Sequence, residues 1–199
     1  MNGSMLNDLS STLSLLKTRR SGRPREMVGP GPSDDELRQI LEIAMRVPDH
    51  GKLAPWRFVV VGKDQRNALA NLLHKALDAE DAQAGNAHHE KEEEFAHQGE
   101  ALIVLVSSPV QNHKIPVWEQ ELSAGAAAMN LLTAAHAAGY VGGWITGWRA
   151  YSPTVNAAFA GPGERIVGFI FLGTPGRELE ERPRPDPGHV VRKWASPAD

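Results

Sequence analysis

Within Arg19-Arg20-Ser21-Gly22-Arg23, three guanidinium groups and a hydroxyl crowd into five residues. Guanidinium binds phosphate through paired, charge-assisted hydrogen bonds, and a serine hydroxyl adds a further donor. The same arginines could equally do no more than complement the dipole at the end of a helix. A second polar junction runs from Arg46 to Phe58. There His50 and Lys52 could donate to an anionic or carbonyl-rich ligand, or simply occupy a solvated turn. In a third stretch, Trp144, Ile145 and Thr146 stand among Gly142, Gly143 and Gly147. Glycine lets backbone approach a flat ligand closely, although such glycines can also mark only a bulge.

One further cluster is set aside. His88, His89, Glu92 and Glu93 include a His and a Glu at i, i+4, which is metal-ligand spacing on a helix. They lie in a strongly charged run, and a solvated helix face is the expected reading, so no metal site is assigned. The sequence also lacks Gly-x-Gly-x-x-Gly after a strand, a phosphate-binding P-loop, Gly-x-Ser-x-Gly and His-Glu-x-x-His.

The elements that must carry these junctions follow from periodicity. Leu6, Leu9, Leu13 and Leu16 predict a first amphipathic helix, starting near Asn7 or Asp8 and fraying at Arg19–Gly22. Residues 22–32 read as a loop. Ser33 and Glu36 form a capping-box signature ahead of a second helix, which Pro48 ends. Trp56–Val61 predicts a strand and Gln65–Ala79 a helix. Ala101–Ser107 is an unbroken apolar run of strand length, expected inside a sheet covered on both faces. Glu119–Ala138 is a helix of small apolar residues, which predicts burial on every side and a subunit interface. On that reading an acidic substitution such as Ala127→Glu would separate the subunits. A strand or bulge at Gly142–Gly147, a short helix from Ser152-Pro153, a strand at Ile166–Leu172 and an extended Arg- and Pro-rich tail complete the chain. The fold class is α+β: a small mixed central sheet of about four strands flanked by helices.

The 199 residues carry a formal net charge of -3, so no global basic field recruits nucleic acid or an anionic membrane. Cysteine is absent, which removes thiol chemistry and fits a reducing compartment. No apolar run approaches the ~20 residues of a membrane span, and a cytoplasmic protein is expected. Residues 1–9 are expected to form a partly disordered extension, and residues 10–199 a single domain.

Taken in order, these pieces resemble the FMN-dependent nitroreductase family. The likeness rests on Arg19-Arg20-Ser21-x-Arg23, Pro48 through Pro55-Trp56, the helix from Glu119, Gly139-Tyr-x-Gly-Gly-Trp144 and Gly168-Phe-x-x-Leu-Gly173-Thr174-Pro175. Pro48-Asp49-His50 and Trp118-Glu119-Gln120-Glu121 resemble its short YdjA-like subgroup. The resemblance implies an intertwined homodimer with FMN sites shared between subunits. Arg19, Arg20, Ser21 and Arg23 would hold FMN, and Arg46, His50 and Leu53 would reach it from the partner. Trp144, Ile145 and Thr146 would lie against the flavin ring. The implied chemistry is ping-pong hydride transfer from NAD(P)H to a nitro compound, quinone or similar acceptor. The alternative is a flavin-binding protein of the same fold that stores or senses FMN, or a relative doing other flavin chemistry.

Overall fold

The computed structural model describes residues 5–196. Expectations for residues 1–4 and 197–199 lie outside the described residues.

Helix α1 (Thr12–Thr18) leads through a single 3-10 turn at Pro24–Glu26 to the short strand β1 (Met27–Val28). Helix α2 (Asp34–Ala44) then begins at a complete capping box. Ser33 Oγ accepts from the Glu36 amide while the Glu36 carboxylate accepts from the Ser33 amide. Strand β2 (Trp56–Val60), helices α3 (Arg66–Glu80) and α4 (Asn86–His97), strand β3 (Ala101–Ser107) and helix α5 (Val117–Ala137) follow. After them come strand β4 (Val141–Ile145), helices α6 (Trp148–Tyr151) and α7 (Pro153–Phe159), strand β5 (Arg165–Pro175) and helix α8 (Pro187–Val190).

Among the described residues the sheet has five strands, not about four. Every pairing is antiparallel, where a mixed sheet was expected. β5 pairs with β3 along 165–172, with β4 along 169–173 and with β1 at 174–175. Alternation sorts the side chains of β3 and β5 into two cores. Leu102, Val104, Val106, Phe169 and Phe171 pack with Leu69, Leu73 and Phe95 of α3 and α4. Ile103, Leu105, Ile170 and Leu172 pack with Ile40 of α2 and with Ala124, Ala128 and Leu131 of α5. A strand covered on both faces needs no polar side, which explains the unbroken apolar run in β3.

Three expectations are corrected here. Helix α1 starts at Thr12, with Ser11 as its N-cap, and not near Asn7. Asn7 and Asp8 instead bond back to Thr18, so the segment before the helix doubles along it. Residues 22–32 contain a 3-10 turn and β1 as well as loop. Helix α5 is not buried all round. Ala127 is wholly buried within this chain, whereas Trp118, Leu122 and Met129 are exposed along one stripe at helical spacing. No helix among the described residues is long and apolar enough to cross a membrane.

Candidate functional site

The Arg19–Arg23 junction is mounted on strand β4 by missing side chains. The Gly22 amide donates to the Gly142 carbonyl at 3.2 Å. A Cβ on Gly143 would meet Gly22 O at 2.7 Å and the Pro24 ring at 3.2 Å, and one on Gly22 would meet Val141 Cγ2 at 2.7 Å. Only glycines allow the two backbones to lie this close. On the other side Asn7 fixes Arg20. Its Oδ1 accepts from the Arg20 amide at 2.7 Å and its Nδ2 donates to the Arg20 carbonyl at 3.2 Å.

The C-terminal tail closes over this junction. Arg20 Nε donates to Glu180 O at 2.7 Å, Arg184 Nη2 donates to Arg19 O at 3.3 Å, and Arg177 pairs with Glu26 at 3.1 Å. Burial lowers the Arg19 pKa first, and the nearby charges of Arg184 and Arg20 lower it further. Burial likewise lowers that of Arg20, followed by Arg182 and Arg184. Some of the excess charge is already met. Arg23 pairs with Glu26 at 3.1 Å and Arg184 with Glu181 at 3.0 Å. Arg19, Arg20 and Arg182 form no ion pair among the described residues; Arg19 Nη1 and Arg20 donate instead to neutral oxygens, Ser21 Oγ and carbonyls. The sequence shows the tail's richness in arginine but not its register, so Arg182 and Arg184 were not among the expected site residues.

Arg20, Ser21, Arg23, Arg182, Trp144 and Ile145 border one cavity of about 490 Å³. Trp144 is held across Gly168, its Nε1 donating to Val167 O at 3.1 Å. Thr146 turns away from this cavity into another, bordered by Ser107, Glu121 and Arg165. The expected set is therefore split at the end of β4, with Trp144 and Ile145 on one cavity and Thr146 on the other, while Arg19 Nη1 donates to Ser21 Oγ at 3.2 Å.

Arg46, His50 and Leu53 do not line this cavity in the same chain. Their loop is rigidly built nonetheless. Gly51, Lys52 and Ala54 all adopt positive φ, of 79°, 56° and 47°. The last two are costly for side-chain-bearing residues. The Asp49 carboxylate compensates by accepting from the Leu53 and Ala54 amides at 3.1 and 2.8 Å. Ser123 and Asn130 of α5 bond the carbonyls of Pro48 and Ile43 at 2.5 Å each. His50 remains exposed and is oriented by Glu119, with Nδ1 2.8 Å from Oε2.

Beneath the junction lies His136, fully buried. Its Nε2 accepts from the Gly142 amide at 3.4 Å. Nδ1 has no partner in hydrogen-bonding geometry, although the carbonyls of Leu132 and Arg20 lie close by. Burial, reinforced by the charge of Arg19, lowers its pKa to about 4, so the ring is neutral near pH 7.

A second buried group corrects the sequence reading of α4. Glu92 does not lie on a solvated face. Its carboxylate accepts from Arg149 Nε and Nη2 at 2.5 and 2.6 Å and from Trp148 Nε1 at 3.3 Å. The Arg149 guanidinium also sits 4.0 Å from the centre of the Phe95 ring.

Comparison with known proteins follows the same outline. The model of the Nitroreductase family matches residues 16–174. The chain is 37% identical over 164 residues to YdjA of Escherichia coli (strain K12), provisionally named an NAD(P)H nitroreductase. That match covers 82% of this chain and 87% of YdjA. Among solved structures, a nitroreductase-like family protein from Bacillus cereus superposes with a TM-score of 0.78 at 21% identity, covering 93% of this chain and 96% of that one. The FMN and NADPH-dependent nitroreductase NfnB from a sphigopyxis strain superposes with a TM-score of 0.71 at 16% identity, covering 93% and 99%. At such identities the two structures speak for the fold alone.

Proposed function

The chain belongs to the nitroreductase family, and from that premise we propose that it is an FMN-dependent oxidoreductase that uses NAD(P)H to reduce nitro compounds, quinones or similar acceptors. The observation that carries this reading is the pair of guanidiniums at Arg20 and Arg182, without ion-pair partners among the described residues, bordering one cavity with Trp144 and Ile145, while Arg19 donates to Ser21 Oγ of the same cavity. Like charges gathered this closely are matched by a multivalent anion, and the FMN phosphate is one.

FMN, when bound, would supply the hydride chemistry between nicotinamide and acceptor in a ping-pong cycle. The chain's residues bind and orient. Arg19, Arg20, Ser21 and Arg182 would hold the phosphate. Arg23, already paired with Glu26, would shape the entrance. Trp144 and Ile145 would form the wall for the ring, with Thr146 at its edge. Arg46, His50 and Leu53 would reach the site from a second subunit.

That assignment requires a homodimer, and the exposed stripe of Trp118, Leu122 and Met129 on α5 supports one. The proposed setting is the cytoplasm, consistent with a chain free of cysteine.

The test is a titration of FMN and of riboflavin into wild type, Arg20→Ala and Arg182→Ala. Losing one charge-assisted contact costs about 1.5–3 kcal/mol, or about ten- to a hundredfold in affinity. FMN should weaken by that factor in each variant while riboflavin stays nearly constant. Riboflavin binding wild type as tightly as FMN would remove the phosphate assignment. An FMN-loaded protein that fails to oxidise NADH or NADPH with any acceptor would be a flavin binder and not a reductase.

A further inference from the structure

The tail is anchored before it crosses the arginine junction and has no such anchor after it. On the near side the Gly176 amide donates to Glu26 O at 2.9 Å, and Leu179 packs against the core under α3 and α4. Residues 178–186 then run without helix or strand. Within them Arg182-Pro183-Arg184-Pro185-Asp186-Pro187 sets a proline at every second position. Each ring fixes its own φ and pushes the residue before it into an extended conformation, so both arginines ride on a stiff arm. Beyond Arg184 the hydrogen bonds among the described residues, at Gly188, His189 and Val191, stay within the tail.

Closing this arm has an electrostatic cost. It brings Arg182 and Arg184 up to Arg19 and Arg20, whose pKa values fall through burial first and then through the tail's charges. The contacts across the crossing do not offset that cost, because Arg20 Nε and Arg184 Nη2 donate to neutral carbonyls. Glu181 does offset it. Its Oε1 accepts from the Arg182 amide at 2.7 Å and from Arg184 Nη2 at 3.0 Å. Among the described residues it is also the carboxylate whose charge supports both Arg19 and Arg20. The Arg184–Glu181 pair is half exposed, and as an isolated surface pair it would contribute little. Its weight comes from acting on several guanidiniums at once.

We propose that Glu181 is a positioning residue for the phosphate site, a built-in counter-anion that keeps residues 180–184 strapped over the junction until a bound phosphate takes over its role. The assignment rests on the phosphate-binding reading of the junction. It makes closure of the tail a matter of charge balance and not of shape. With a neutral residue at 181 the like charges are uncompensated and the strap opens. A multivalent anion in the adjoining cavity, which Arg20 and Arg182 border, closes it again.

The readout is the Arg20 side-chain Nε–H resonance of the full-length, flavin-free protein, assigned by its loss in Arg20→Lys. That proton is held by Glu180 O only while the strap is closed. Wild type should show the signal in sodium chloride alone. Glu181→Gln should lose it there and regain it with inorganic phosphate or FMN, but not with riboflavin or with more chloride at matched ionic strength. A signal that persists in Glu181→Gln without phosphate would overturn the proposal, and so would one that phosphate fails to restore. Restoration by riboflavin would also overturn it, because closure would then follow the ring and not the charge. A wild type without the signal in chloride would show that Glu181 does not hold the strap. If phosphate restores the signal and FMN does not, the strap stands and the FMN reading falls.

Discussion

The indole of Trp144 lies across the bare Cα of Gly168, in space that a Cβ at that position would occupy. Trp144 Nε1 and Ile145 O both crowd the place where it would stand. The wall proposed for the flavin thus depends on a residue of the neighbouring strand having no side chain.

Gly168→Ala should therefore push the indole outward, with a stability loss of about 1–3 kcal/mol and weaker FMN binding. Chemical denaturation and Trp emission of the flavin-free protein check this. In the Trp144→Ala background the same substitution should cost much less, because two lesions at one contact do not add. Additive losses would mean that the indole is not what the alanine displaces.

Glu92 and Arg149 form a buried pair, with side chains 4% and 15% exposed. Removing one partner strands a charge, so Glu92→Ala should lose about 3–5 kcal/mol. Glu92→Leu with Arg149→Met should recover most of it. Urea unfolding of the single and double variants decides, and a double variant as unstable as Glu92→Ala would contradict the account.

The buried His136 gives the fold an acid limit. Its folded pKa is lowered to about 4, against about 6.5 in the unfolded chain. Between those values the unfolded state binds more protons, so stability falls as pH falls from about 6.5 toward 4. The loss is about 3 kcal/mol when complete. His136→Gln should flatten this part of the pH–stability profile, whatever it does to stability at pH 7. An unchanged slope would assign the acid sensitivity to other groups.

The outward stripe of α5 and its inward face should respond differently to charge. Leu122, 63% exposed, can become Glu without disturbing the folded chain. Leu122→Glu should yield folded monomers with weakened FMN binding, measured by light scattering and flavin titration. Ala127→Glu buries an unpaired charge and should unfold the chain outright. A Leu122→Glu protein that remains dimeric would place the interface elsewhere.

Sharing of the site between subunits is tested by mixing Arg20→Ala and His50→Ala chains. In the heterodimer a shared arrangement puts both lesions in one site and leaves the other intact, giving one tight FMN per dimer. Two equally weakened sites would show that both loops act within one chain.

What could be read from the sequence was what short-range chemistry determines. Ser33 and Glu36 cap α2 because the partners stand three residues apart, and the burial of β3 follows from its own composition. The start of α1 was misplaced because Asn7, in helical register with the leucines, is taken by the backbone of Arg20 thirteen residues later. Glu92 looked solvated because its partner Arg149 is 57 residues away. At the candidate site, Arg20, Ser21 and Trp144 announced themselves by residue type and glycine context. Arg182 and Arg184 did not, since an extended tail has no periodicity to fix which side chain faces inward. The split between Ile145 and Thr146 falls where β4 ends, visible only once the strand's bounds are known.

The central position of β5 carries a consequence for how the chain acquires its structure. β1 and β4 depend on it for pairing, and β3 pairs with it on the side away from β2. During synthesis, until residues beyond 165 exist, β2 and β3 can pair only with each other. β1 and the β4 glycines wait without a partner strand, and the arginine junction mounted on β4 waits with them. Contacts of such long sequence separation form slowly, and unpaired apolar strands are exposed in the meantime. Cofactor capture should therefore come late in folding, with flavin fluorescence changing only after the sheet's circular dichroism signal is complete.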